Sequence, residues 1–200
     1  MKRFFNPENG LWKIFGFIGD LLILSMLWTV CCAPIITAGA ASCALYDAVT
    51  ADFRRHEQDY LRRFFRTLKR EFLSSLLPTL LWAAVLAGLW WLLRAFAGGS
   101  LWRTAIGLGV FLLPLGIVCW VFPLLSRFTL DFQTLCGNAL RLALGHAPST
   151  FAMGLGLALS VWLTLRLALL PLFFLPALLS LYLTLFLEPV FRQYESPPEE

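Results

Sequence analysis

The sequence predicts an all-α protein, a polytopic transmembrane helical bundle of six spans (five as the alternative), with two amphipathic helices on the cytoplasmic side. Three observations predict it. Apolar residues fill 59% of the 200 positions and charged residues only 14%, for a mean hydropathy of +0.75. Uncharged runs close to the roughly 20 residues a helix needs to cross a bilayer recur along the chain. Nearly all the basic residues fall in segments that an even number of crossings places on one side. So few polar residues cannot cover a water-soluble core, which excludes a soluble enzyme, a disordered tail and a nucleic-acid module. No stretch is polar enough for a separate soluble unit, so one integral membrane domain over 1–200 is expected.

The first candidate span is 15–33. Lys2, Arg3 and Lys13 ahead of an apolar stretch resemble a signal peptide. The polar lead is long, however, no lipoprotein cleavage box precedes Cys31 and Cys32, and further hydrophobic segments follow, so a retained anchor is expected. Pro34 disfavours helix in the residue before it and separates this span from the second, 35–51, in a tight hairpin. The second is short, rich in small residues and interrupted by Asp47, and a re-entrant or interfacial helix here would give the five-span version. The remaining spans are 72–97, 101–122, 149–170 and 172–187, with Pro78, Pro114 and Pro176 as expected kink sites. Six spans put both termini and the connections 52–71 and 123–148 on one side, with all of the 16 Lys and Arg except Arg94, Arg103 and Arg166. Five would put the basic N-terminus outside, against the positive-inside bias, so six spans with cytoplasmic termini are favoured.

Small residues let helices approach closely in lipid. Ala40, Ala44 and Ala48, Ala105 with Gly109, and Gly156 with Ser160 recur every four positions and predict helix contacts, within the chain or, alternatively, across a homodimer seam.

In 52–71, Leu61, Phe65, Leu68 and Phe72 recur at helical spacing, with Arg62, Arg63, Arg66, Lys69 and Arg70 spread around them. Together with Arg54 and Arg55, seven basic residues against Asp52, Glu57, Asp59 and Glu71 leave a surplus of +3. An interfacial helix on anionic lipid is expected, at about 1 kcal/mol per basic group; a docking surface for a soluble partner is the functional alternative. From Phe128, the residues Phe132, Leu135, Ala139 and Leu142 repeat the spacing, with Asn138 and Arg141 elsewhere on the turn, predicting a second such helix.

Asp20 and Asp47 are candidate intramembrane polar residues that the hairpin could bring together. Charges well inside a span cost about 2.5–3.5 kcal/mol and often mark a pathway. Near a boundary they can instead reach the interface or pair with Lys13, Arg54 or Arg55. Catalytic and metal signatures do not emerge. His56-Glu57 opens a possible HExxH whose fifth position is Tyr60, His146 stands alone, and no GxSxG or phosphate-cradling loop occurs. The chain is read as non-enzymatic and without a cofactor. The odd set Cys31, Cys32, Cys43, Cys119 and Cys136 has no CxxC pair and reads as packing residues. Trp82, Trp90, Trp91 and Trp102 suit interfacial belts.

Further motifs resemble a known family. The opening Phe5-Asn6-Pro7-Glu8-Asn9-Gly10, the segment Cys32-Ala33-Pro34-Ile35-Ile36-Thr37-Ala38-Gly39-Ala40 and Ala44-Leu45-Tyr46 are similar to the YesL-like bacterial membrane proteins, a family classed as a domain of unknown function. The similarity continues through Phe64-Phe65, Lys69 and Phe72, through Phe122-Pro123-Leu124 with Arg127-Phe128, and through Asn138-Ala139. The resemblance implies a bacterial inner-membrane protein, in a family often encoded beside carbohydrate-uptake systems and without an established activity. Two functions follow as expectations. One is a non-catalytic accessory protein whose basic helices contact a transporter or its soluble subunit. The other is a small-solute carrier or channel working through Asp20 and Asp47.

Overall fold

The computed structural model describes residues 10–55, 59–96, 101–128, 130–167 and 170–194. Among these residues the chain forms eight α-helices and no strand, confirming the all-α class. In order they are α1 (Gly10–Cys31), α2 (Ala38–Arg55), α3 (Tyr60–Arg70), α4 (Phe72–Phe96), α5 (Leu101–Arg127), α6 (Phe132–Gly145), α7 (Ala147–Arg166) and α8 (Leu175–Tyr194). Short 3-10 turns at Ile35–Thr37 and Leu170–Phe173 precede α2 and α8.

Pro34 breaks the first hairpin as its chemistry requires. The Thr37 hydroxyl donates back to the Pro34 carbonyl at 2.7 Å and also reaches the Cys31 carbonyl, satisfying acceptors at the end of α1. Pro176 behaves differently from expectation. It lies in the first turn of α8, where the missing N–H breaks no helical bond, rather than inside a span.

Helix α2 runs through the middle of the bundle. Ala40, Ala44 and Ala48 are each 0% exposed, so this stripe packs within the chain. A Cβ on Gly39 would meet the Thr79 hydroxyl of α4 at 1.9 Å and the Phe122 ring of α5 at 2.9 Å, so glycine permits that close crossing. Gly156 packs against Tyr182 of α8, while Ala105 and Gly109 fall among side chains that are not described. A contact not anticipated joins α5 to α7, where Gly116 and Gly154 face backbone atoms of the opposite helix.

The core has two parts. Leu24, Val49 and Phe64 join α1, α2 and α3, and Trp120, Leu135, Met153 and Phe191 join α5, α6, α7 and α8. Outside, the bundle is apolar: Leu73, Trp91 and Leu165 are 77%, 76% and 78% exposed. Among the described residues two helices, Phe72–Trp91 and Ala147–Arg166, are long and apolar enough to cross a membrane. Shorter apolar helices cover Gly16–Cys31, Pro114–Arg127 and Leu175–Phe191.

Candidate functional site

Polar groups concentrate at the end of the bundle where α2 finishes and α3 begins. At about 100° per residue, α3 divides into three strips. Tyr60, Arg63, Phe64, Thr67 and then Glu71 face the bundle; Leu61, Phe65, Leu68 and Phe72 form an apolar flank; Arg62, Arg66 and Lys69 lie on the outward side. Burial follows this division, with Phe64, Thr67 and Glu71 buried and Leu61, Phe65, Arg62, Arg66 and Lys69 exposed. The apolar stripe anticipated from sequence is therefore the flank, and a second stripe carries α3 onto the protein.

Asp20 and Asp47 hold that inner face. The Tyr60 hydroxyl donates to Asp20 Oδ1 at 2.6 Å, tying α3 to α1. Burial, then the bond to Asp20, pushes the Tyr60 phenol up to about 12. The Thr67 hydroxyl donates to Asp47 Oδ2 at 2.6 Å and Arg63 Nη2 lies 3.1 Å from Asp47 Oδ1, tying α3 to α2. Asp20 and Asp47 thus each engage α3, while the side chain of Lys13, one of the partners the sequence offered, lies outside the described residues. The backbone of Arg54 and Arg55 closes α2, and their side chains lie outside the described residues.

Next to this clamp, Arg70 Nε lies 2.6 Å from Glu71 Oε1, and its Nη2 donates to the Ser126 carbonyl of α5 at 2.9 Å. Arg127 Nη2 lies 2.6 Å from Glu188 Oε1 of α8, which also accepts from the Tyr46 hydroxyl at 3.3 Å. The Arg127 guanidinium sits 5.7 Å from the centre of the Phe191 ring. Each of these three arginines, Arg63, Arg70 and Arg127, faces a carboxylate, and the buried Glu71 and Glu188 thereby keep a counter-charge. They surround a polar pocket of 230 Å³ that reaches Tyr46, Asp47 and Thr50 but not Asp20.

Sequence reading placed Asp47, Arg63 and Arg70 among candidate residues, and the structure brings those three together. It missed Tyr46, Arg127 and Glu188 as partners, because three helices far apart in the chain supply them, and it missed Glu71, the chain neighbour of Arg70 between α3 and α4. A carboxylate and an arginine each near the end of an apolar helix is the signal that could have paired Glu188 with Arg127. Asn138 lies elsewhere, half-buried on α6 beside the buried Leu135 and Ala139. Residues 5–9, His56 and Glu57 lie outside the described residues. The Cys43 and Cys119 thiols are buried in the interior, Cys43 Sγ against the Phe122 carbonyl at 3.3 Å. Among the described residues no group of three or more His, Cys, Asp or Glu could hold a metal ion.

No curated protein and no solved structure matches the chain. Residues 9–93, a stretch holding both clamped carboxylates and all of α3, match the family model described as a protein of unknown function, DUF624, so this part of the chain is similar to a domain family with no assigned activity.

Proposed function

We propose that this protein is a non-catalytic integral membrane protein that holds α3 rigidly at the cytoplasmic face as a docking surface for anionic lipid and for a subunit of a carbohydrate-uptake system. The observation that carries the reading is the use of Asp20 and Asp47. Both engage α3, so the costly intramembrane carboxylates fix a helix whose outward side presents Arg62, Arg66 and Lys69.

Six spans are α1, α2, α4, α5, α7 and α8 in this reading. They run 18 to 27 residues, about 27–40 Å at 1.5 Å per residue, against a hydrocarbon core of about 30 Å. The Arg70 bond to the Ser126 carbonyl supports the threading, because it joins the end of α3 to the end of α5 from which the chain enters α6. Both short helices then lie on the basic, cytoplasmic side of a bacterial inner membrane. The partner class comes from the YesL-like resemblance alone.

Affinity copurification in mild detergent tests the partner. The expected result is a transporter component that is retained by the intact protein and lost with Arg62→Gln/Arg66→Gln/Lys69→Gln. Absence of any such component, together with sugar uptake unchanged on deletion, overturns it. The pocket reaching Asp47 favours a second reading, a small-solute carrier. Liposome flux that ignores Asp47→Asn would remove that support.

A further inference from the structure

A second cavity, of 310 Å³, lies on the far side of Tyr46 from the polar pocket. Its walls run over 157–165 of α7 and 175–183 of α8, about 12 Å on each helix, and are closed by parts of α1, α2 and α5. It is an elongated slot in the half of the bundle away from α3. Its rim includes Val161 and Leu165, 51% and 78% exposed on the apolar outer face of α7.

The polar groups of the wall are turned away from the slot. The Ser42, Ser160 and Thr164 hydroxyls each donate at 2.8 Å to the carbonyl four residues earlier in their own helix, and Trp28 Nε1 donates to Ser42 Oγ at 3.3 Å. The Tyr46 hydroxyl is engaged by Glu188. Ser180 is the exception: it is 5% exposed, and its Oγ has no hydrogen-bond partner among the described residues. A buried hydroxyl with no acceptor calls for an explanation, and an apolar void forfeits the dispersion contacts of its lining.

We infer that this slot is a lipid-binding site that takes one acyl chain of a phospholipid, with an ester oxygen accepting from Ser180. The inference rests on the membrane reading above. Water gains too few polar partners in such a slot, whereas hydrocarbon entering sideways past Val161 and Leu165 restores the missing contacts. The volume lies at the small end of the range for ligand pockets, which suits a single chain better than a sterol-sized or two-chain occupant. Tyr46 closes the inner end, so the chain stops short of the polar pocket.

The test is the full-length protein in bilayer nanodiscs containing phosphatidylethanolamine with a diazirine on the acyl chain, cross-linked and mapped by peptide mass spectrometry. Label is expected on 118–122 of α5, where Cys119 is 4% exposed and lies behind the rim, as well as on the outward face of α4. Ser160→Leu fills the slot and should lower the α5 label by about tenfold or more, the loss of at least 1.4 kcal/mol of binding, with the α4 label unchanged. Val118→Phe enters from the opposite wall and gives the same readout where Ser160→Leu does not assemble. Label on α4 without label on α5, or an α5 label indifferent to both substitutions, overturns the slot while leaving the membrane reading intact. Label on neither helix overturns both.

Discussion

Asp47→Ala is the most informative perturbation of the clamp. The Asp47 and Arg63 side chains are 15% and 28% exposed, so their attraction is only partly screened by solvent. The substitution removes the acceptor of the Thr67 hydroxyl, whose residue is 2% exposed, and the counter-charge of Arg63. One charge-assisted bond is worth about 1.5–3 kcal/mol, and the exposed fraction of Arg63 pulls the pair toward the lower end. The Thr67 hydroxyl can turn to its own helix, recovering part of its loss. Undocking of α3 should therefore become easier by about 2–4 kcal/mol. Hydrogen exchange of the α3 amides in detergent or nanodiscs measures this directly, since each 1.4 kcal/mol speeds exchange through undocking about tenfold. A double-mutant cycle with Arg63→Ala should return a coupling of about 1–2 kcal/mol. Unchanged exchange in Asp47→Ala, or coupling below about 0.5 kcal/mol, would refute the view that this carboxylate exists to hold α3.

Other predictions follow the same physics. Glu188→Ala takes from Arg127, a largely enclosed guanidinium beside the Phe191 ring, the carboxylate 2.6 Å away, and should cost about 3 kcal/mol in unfolding measurements, whereas Arg127→Met/Glu188→Leu should come out close to neutral. Gly154→Ala puts a Cβ 2.8 Å from the Leu112 carbonyl and should lower stability by about 1–3 kcal/mol, while Gly88→Ala, which meets nothing within 4 Å, should raise it by about 0.5–1 kcal/mol. In a spectroscopic titration, the phenol absent from Tyr60→Phe should ionise near 12 rather than at the ordinary value of 10. Because its folded value is raised, the Tyr60 contribution to stability is fully present below pH 10 and disappears as pH climbs through 12; equal stability losses for wild type and Tyr60→Phe over that window would contradict it.

Much of the helical content was legible because its signals are local. Uncharged runs bounded by Pro34, by charged connections and by the break after Ala97 gave helices close to those observed, with Phe132, Leu135, Ala139 and Leu142 marking α6. Where the reading fell short, distance along the chain was the cause. The stripe Leu61, Phe65, Leu68 and Phe72 is real, but nothing in a window of that length reveals that Phe64 and Thr67 are the residues the bundle buries. The partners of Asp20 and Asp47 were not legible for the same reason: Tyr60, Arg63 and Thr67 lie on a different helix, and only the fold brings them within hydrogen-bond reach. Pro176 was misplaced by a boundary error of a few residues, enough to turn an expected kink into an ordinary helix start.

The central position of α2 explains how a segment with Asp47, Tyr46 and Thr50 can sit in so apolar a protein. Its alanines bring neighbouring backbones close, which encloses the polar face and supplies partners from α3 and α8 within hydrogen-bond reach. The helices α4 and α7 do the opposite, turning Leu73, Trp91 and Leu165 outward. Apolar composition alone therefore underrates α2 as a central helix, because the segment most enclosed by its neighbours has the least need of an apolar outer face. The same arrangement separates the two cavities: Tyr46 stands between them, with charged groups gathered on the α3 side and an apolar slot on the other. Replacing Tyr46 with alanine should join them, and entry of water from the charged side should then abolish acyl labelling of α5 while leaving the label on α4.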